Sequence, residues 1–275
     1  MSKAPSPEPA IAKASTPMAK RRRRRESFVE RYAALALTIA VIALWQVAVP
    51  LLGLSEFVLP TPWIVANRLV KDFSLLATHA SYTLFEVVAG FGLAVIIGIP
   101  FSLAIFYSRP FERAIYPMLV ALQTIPKIAL APLLVLYLGY EWGPKICLAF
   151  LIAFFPIVIS TVVGLQSLDK GLVSLVRSMG ANEWQTFYKV RLPAALPSVF
   201  GGFKVAIGLA VIGAIIGEYV AAERGLGYLQ LQANARFDTA LNFAAVVAIS
   251  GLGVFLYFVL TFVENRAVYQ REIPK

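Results

Sequence analysis

Apolar runs long enough for an α-helix to cross a hydrocarbon core, about 20 residues, recur six times along this chain. The first extends from Tyr32 to Ser55 without a charge. The second, Ser81 to Ser108, is interrupted only by Glu86 near one end, and the third, Ala114 to Tyr140, carries Lys127 and the prolines Pro117, Pro126 and Pro132. Proline removes a helix donor and crowds the preceding turn, so this third segment is predicted to be kinked or discontinuous. The fourth covers Ile146 to Leu168, the fifth Ser198 to Ala222 with Lys204 and Glu218 towards its ends, and the sixth Thr239 to Val263. The pattern predicts an all-α membrane protein with six transmembrane helices. An even number of spans puts both termini on one side.

Composition supports the lipid reading: 59% of the 275 residues are hydrophobic and only 15% charged. The formal charge of +10 raises the question of where the cations lie, because Lys and Arg concentrate on the cytoplasmic side of short loops. With the N-terminus in the cytoplasm, eighteen Lys and Arg fall on that side and five on the other. The cytoplasmic set is the tail, Arg109 and Arg113, the loop with Lys170, Arg177, Lys189 and Arg191, and the C-terminal segment. The opposite set is Arg68, Lys71, Lys145, Arg224 and Arg236. Both termini are therefore placed in the cytoplasm. Residues 1–31, rich in Ala, Pro, Ser and Lys and containing the run Arg21 to Arg25, are expected to be a disordered basic tail that fixes topology and meets anionic lipid rather than nucleic acid. Residues 32–268 form the membrane domain and 269–275 a second tail. The single cysteine, Cys147, lies in an apolar run and supports no disulfide or metal site.

The longest cytoplasmic connection, 169–197, has helical punctuation. Asp169 can cap a helix, Gly180 can end it, and Pro193 and Pro197 mark the return to the membrane. Between them Trp184, Phe187 and Tyr188 recur at i, i+3 and i+4, giving a short amphipathic helix with an aromatic face. That face could lie in the bilayer interface or fill a groove on a soluble partner.

In this loop Gly180 is followed after nine residues by Val190, then Arg191, Leu192 and Pro193. This spacing resembles the cytoplasmic signature of the permeases of type I ABC importers, in the nitrate, sulfonate and taurine branch. The first half of the signature departs, with Ser174, Leu175 and Val176 where the family has Glu-Ala-Ala. The stretches TIPKIALAPLLVLYLGY, FFPIVISTVVGLQSL and GEYVAAERGLGYL are also similar to branch segments, and the likeness extends from about Phe57 to Glu264. It implies the type I importer permease fold and a coupling helix, Ala181 to Val190, seated in a separate ATP-binding subunit. Gly180 would aim it, Trp184 and Phe187 would anchor it, and Val190, Leu192 and Pro193 would complete the motif. It also implies a homodimer in the bacterial inner membrane, two ATPase subunits carrying ATP and Mg, and an extracytoplasmic binding protein. Nothing in the resemblance calls for a cofactor in this chain. Branch members import nitrate, sulfonates, vitamin precursors and aromatic acids. GFKVAIGLA and TIPKIALAPL lean towards the aromatic or heterocyclic end of that list.

Within the spans, the pathway is expected along the third and fifth helices, with Gln123, Lys127, Gly213, Gly217 and Glu218 as candidates. Gly202, Ala206, Ala210 and Ala214 recur every four residues and Gly213 and Gly217 form a GxxxG pair, a pattern that also serves plain helix packing. Ionisable groups in spans are costly. Lys127 beside Pro126 is expected to face an aqueous cavity, and Glu218 to pair with Arg224 or Arg236. His79 receives no role. The sequence has no phosphate-cradling GxxxxGK[ST] loop, no paired His ligands and no nucleophile beside a base, so ATP hydrolysis is assigned to a partner. A carrier or channel working without ATP, coupled through Lys127 and Glu86, is the alternative.

Overall fold

The computed structural model describes residues 17–269 and is built of helices. Residues 1–16 and 270–275, which hold most of the expected C-terminal tail, lie outside the described residues. The chain divides into two compact units, 1–55 and 56–275.

The first unit is helix α1 (Pro17–Leu51). Its apolar part is Leu35–Leu51, whose Leu35, Leu37, Ile39, Val41 and Leu44 are exposed, as suits a surface facing lipid. Gly53 at φ +63° then turns the chain, with Leu54 N–H bonded to the Val49 carbonyl at 3.1 Å. The helix starts at Pro17, so the basic run Arg21–Arg25 belongs to α1 instead of the structureless tail expected from its composition.

The second unit begins with the short α2 (Pro62–Lys71), capped by Thr61, and continues into α3 (Phe73–Tyr107). Helix α4 (Arg109–Gln123) follows, then a 3₁₀ turn (Lys127–Leu130) and α5 (Ala131–Leu138). The axis bends by 84° between α4 and the segment Lys127–Leu138. The break falls at Pro126, which can neither donate a helix bond nor leave Ile125 helical. The predicted irregularity of the third apolar segment is real, and its two halves are separate short helices. Helix α6 (Trp142–Gln166), α7 (Lys170–Ser178), α8 (Glu183–Thr186), α9 (Leu192–Ala221), α10 (Leu226–Ala235) and α11 (Thr239–Tyr269) complete the order. Among the described residues, four stretches are each long and apolar enough to cross a membrane: α3, α6, Glu183–Ala221 and Thr239–Val268.

Helix α6 is the centre, sandwiched between α3 and α9. Small residues let the backbones close up: a Cβ on Gly90 of α3 would lie 2.5 Å from the Ala149 Cβ of α6, and one on Gly213 of α9 would lie 2.7 Å from the Ala149 Cα. In lipid, where apolar surface gains little by leaving the solvent, such close packing and interhelical hydrogen bonds drive association. One such bond joins Ser102 on α3 to the Val158 carbonyl on α6 at 3.3 Å. Around these contacts Val87, Ala94, Ala153, Ile157, Ala206 and Ala214 are buried.

Candidate functional site

The loop after α6 folds as its punctuation predicts. The Asp169 carboxylate accepts the Gly171 N–H at 2.9 Å and starts α7. Gly180, at φ +87°, ends it, with Gly180 and Ala181 N–H groups bonded to the Arg177 and Val176 carbonyls. Helix α8 then opens with a capping box that the hydrophobic pattern did not reveal. The Asn182 side chain accepts the Gln185 N–H at 2.8 Å, and the Gln185 side chain accepts the Asn182 N–H at 3.1 Å. An exposed ion pair, Arg177 with Glu183, ties α7 to α8.

Residues Phe187–Arg191 are a π segment joining α8 to α9, with the Leu192 N–H reaching back five residues to the Phe187 carbonyl. Pro193 explains it. In a regular helix its ring would crowd the Lys189 carbonyl and leave that group without a donor, and widening the turn relieves the clash. The Leu192–Pro193 pair thus sets the geometry of the joint. Arg191 packs its guanidinium 5.0 Å over the Phe106 ring at the end of α3.

The aromatics of this loop divide between two faces. Phe187 is buried among Leu165, Ala195 and Val199, with Leu192 against them, and its ring meets Tyr107 at 6.0 Å. It is an intramolecular root and not an anchor for a partner, which corrects the sequence expectation. Trp184 is 68% exposed and stacks obliquely on the exposed Tyr188 at 4.7 Å. Leu172, Leu175 and Met179 of α7 and the turn after it are exposed beside them in the chain. Val190, Leu192 and Pro193 are half-buried, while Ala181 is half-buried at the turn and Gly180 is exposed.

At the opposite end of the same helices lies a polar cluster. Glu218, fully buried near the end of α9, accepts a hydrogen bond from Thr83 Oγ1 at 2.6 Å, and from the Gly227 and Tyr228 N–H groups at 2.5 and 3.3 Å. The two N–H groups belong to the first turn of α10, where donors lack partners and the helix dipole favours an anion. Thr83 in turn accepts the Leu226 N–H at 2.8 Å, and His79 accepts the Gly225 N–H at 3.1 Å. So Glu218 does not pair with Arg224 or Arg236: its carboxyl group is met by backbone and a hydroxyl. Arg224 instead bonds the Tyr82 hydroxyl at 2.5 Å and covers that ring. His79, given no role from sequence, pins α3 to the turn before α10. The signal that could have shown this is the spacing Glu218, Gly225, Gly227. Gly225 has φ +113°, and a Cβ there would lie 2.3 Å from the Glu218 carboxyl carbon.

Beside this cluster opens a cleft of about 610 Å³, lined by Tyr82, Glu86, Tyr140, Trp142, Lys145 and Arg224 among others. Glu86 and Lys145 are both buried and face each other at 3.7 Å. Of the expected pathway residues, Gly213 and Gly217 are packing residues: a Cβ on Gly217 would lie 2.7 Å from the Lys145 Cα. The small-residue row Gly202, Ala206, Ala210 and Ala214 is likewise buried within the protein. The open face of α9 carries Gly201, Val205, Gly208, Ile212 and Tyr219. Gln123 is exposed. Lys127 is half-buried at the bend, donating to the Gln123 carbonyl at 3.1 Å and lying 5.0 Å above the Phe155 ring; it does not line the cleft.

Residues 90–269 match the family model of binding-protein-dependent transport system inner membrane components. The chain belongs to that family. It is similar to the formylaminopyrimidine transport permease ThiX of Halalkalibacterium halodurans, 37% identical over 82% of this chain and 91% of that one. The riboflavin transport system permease RibX of Chloroflexus aurantiacus is 37% identical over 86% and 90%, and the putative aliphatic sulfonates permease SsuC of Escherichia coli 32% over 81% and 86%. A chain of the MetNI methionine ABC transporter, crystallised in inward-facing conformations, shares the fold with a TM-score of 0.58 at 22% identity, covering 73% of this chain and 97% of that one. The protein is therefore a permease subunit of an ATP-driven, binding-protein-dependent importer and a multi-pass membrane protein. Family membership selects this reading over the ATP-independent carrier.

Proposed function

We propose that this permease works as a homodimer in the bacterial inner membrane, with six spans and cytoplasmic termini, and that α8 with its flanking turns is the coupling helix against which two ATPase subunits close. The ATPases would bind ATP and Mg, and an extracytoplasmic binding protein would deliver the solute. The observation that carries the assignment is the exposed Trp184–Tyr188 pair on a doubly capped helix whose root, Phe187, is locked in the core. A large aromatic held rigidly in water loses little entropy when a partner pocket desolvates it, which is how interface hot spots arise. Supporting features are the excess of Lys and Arg on this end and the MetNI likeness. Between the two ends, the open face of α9 through Gly201, Val205, Gly208 and Ile212 would line the path. The solute class is that of the relatives: a sulfonate, another organic anion or a heterocyclic vitamin precursor.

Affinity purification of the tagged protein from its native membrane tests the assignment. An ATPase subunit should copurify, and Trp184→Ala should reduce its recovery and the associated ATP hydrolysis at least tenfold while leaving insertion intact. Gly180→Asp should act alike. A side chain at φ +87° costs only about 1–2 kcal/mol, so the fold survives while the aim of α8 shifts. Normal coupled hydrolysis in both variants would overturn the coupling role.

A further inference from the structure

Glu86 and Glu218 come from different spans, α3 and α9, and each is only 1% exposed. Their carboxyl groups are hydrogen-bonded to each other. An ionised carboxylate only accepts, so this bond requires a proton on one of the two acids. Its place follows from what else each acid touches. Glu218 Oε1 accepts the Thr83 hydroxyl, and Oε2 accepts the Gly227 and Tyr228 N–H groups at the start of α10. Both of its oxygens are therefore in use as acceptors. Glu86 has no such cradle. Lys145 Nζ stands 3.7 Å from its Oε1, beyond the roughly 2.7–2.9 Å of a charge-assisted bond, and among the described residues no donor reaches Oε2. The proton accordingly rests on Glu86. Charge agrees: one proton leaves Glu86, Glu218 and Lys145 neutral as a set, whereas two ionised acids would leave a buried negative charge uncompensated, which a membrane interior penalises.

We infer that Glu86 and Glu218 form a proton-binding latch, in which a single proton carried by Glu86 and donated in a hydrogen bond to Glu218 ties α3 to the end of α9 that holds α10. Glu86 and Lys145 also line the cleft, so the proton has a route to water. The groups facing Glu86 are Lys145 from α6 and Glu218 from α9, with Tyr82, Glu141, Glu223 and Arg224 along the cleft wall; α10 contributes its N–H groups through Glu218. When the proton leaves, two carboxylates confront each other at short range and α3 is repelled from α9. The latch therefore holds at low pH and releases as pH rises. It lies at the far end of the helices from the 169–197 loop and stands whether or not that loop couples to an ATPase.

The test uses the full-length permease in lipid nanodiscs. Its infrared spectrum at neutral pH should contain the C=O stretch of a protonated carboxyl, lost reversibly as pH is raised and missing from Glu86→Gln. The amide of Glu86→Gln still donates to Glu218, so this variant should melt with the parent at neutral pH but lack the parent's fall in melting temperature as pH rises. Glu86→Leu fills the space without a donor and should melt lower by about 5 °C or more. Should Glu86→Leu fail to fold, the infrared band and the pH profile of Glu86→Gln still decide. Absence of the band from the parent, or its persistence in Glu86→Gln, would overturn the latch. So would a Glu86→Gln protein that melts as low as Glu86→Leu, since that result marks an ionised Glu86 paired with Lys145.

Discussion

A methyl group at Gly225 would collide with the Glu218 carboxylate, so these two residues, seven apart in sequence, are interdependent. Gly225→Ala should lower stability by about 1–3 kcal/mol, combining lost hydrogen bonds to α10 with backbone strain. Shortening the acid with Glu218→Asp in the same chain should recover part of the loss, so that the double variant is more stable than the sum of the singles predicts. Thermal unfolding in detergent measures both. The aromatics of the proposed coupling loop give a sharper contrast. Phe187→Ala empties a core position and should cost about 3–5 kcal/mol, whereas Trp184→Ala should change stability by less than about 0.5 kcal/mol and reveal itself only with the ATPase present. At this scale the sequence reading was incomplete for a physical reason. Spacing i, i+3, i+4 puts Trp184, Phe187 and Tyr188 on one face of a regular helix, but the π joint widens the turn at Phe187 and sends that ring inward. The partners of Glu218 are backbone N–H groups, which leave no mark in composition.

Among the elements, α9 presents two faces with opposite duties. Gly213 and Gly217 abut the α6 backbone, while Gly208 has open space where a Cβ would go. Gly213→Val should therefore separate α6 from α9 and abolish a folded, extractable protein. Gly208→Val should fold normally and, if this face lines the path, depress uptake; size-exclusion profiles and transport assays read the two outcomes. Periodicity showed that small residues cluster on α9, but not which neighbour they meet, because the four-residue repeat describes a stripe and not its orientation. Four of the apolar runs, by contrast, were legible: the second, fourth, fifth and sixth fall on helices long and apolar enough to cross the hydrocarbon. The break in the third run was legible through Pro126, but its magnitude was not, because proline permits anything from a gentle kink to the 84° corner found here.

For the whole molecule, the 169–197 loop with its cluster of Lys and Arg sits at one end of α3, α6 and α9, and the Glu218 cluster and the cleft at the other. This polarity agrees with the placement of positive charge. Single cysteines at Met179 and Glu223 should therefore label from opposite sides of sealed vesicles, and labelling of both from one side would reverse the proposed topology. The two ends are also joined without interruption. Residues Glu183–Ala221 run as one helical stretch of 39 residues, roughly 58 Å at the ordinary rise, with Trp184 at its foot and Glu218 near its head. If the proposed ATPase clamp closes on its foot, a rod anchored at its head by a carboxylate works as a lever. In that reading the widened turn at Phe187–Arg191 is where such a lever would bend, and its stiffness would set how much of each clamp stroke arrives at the far side.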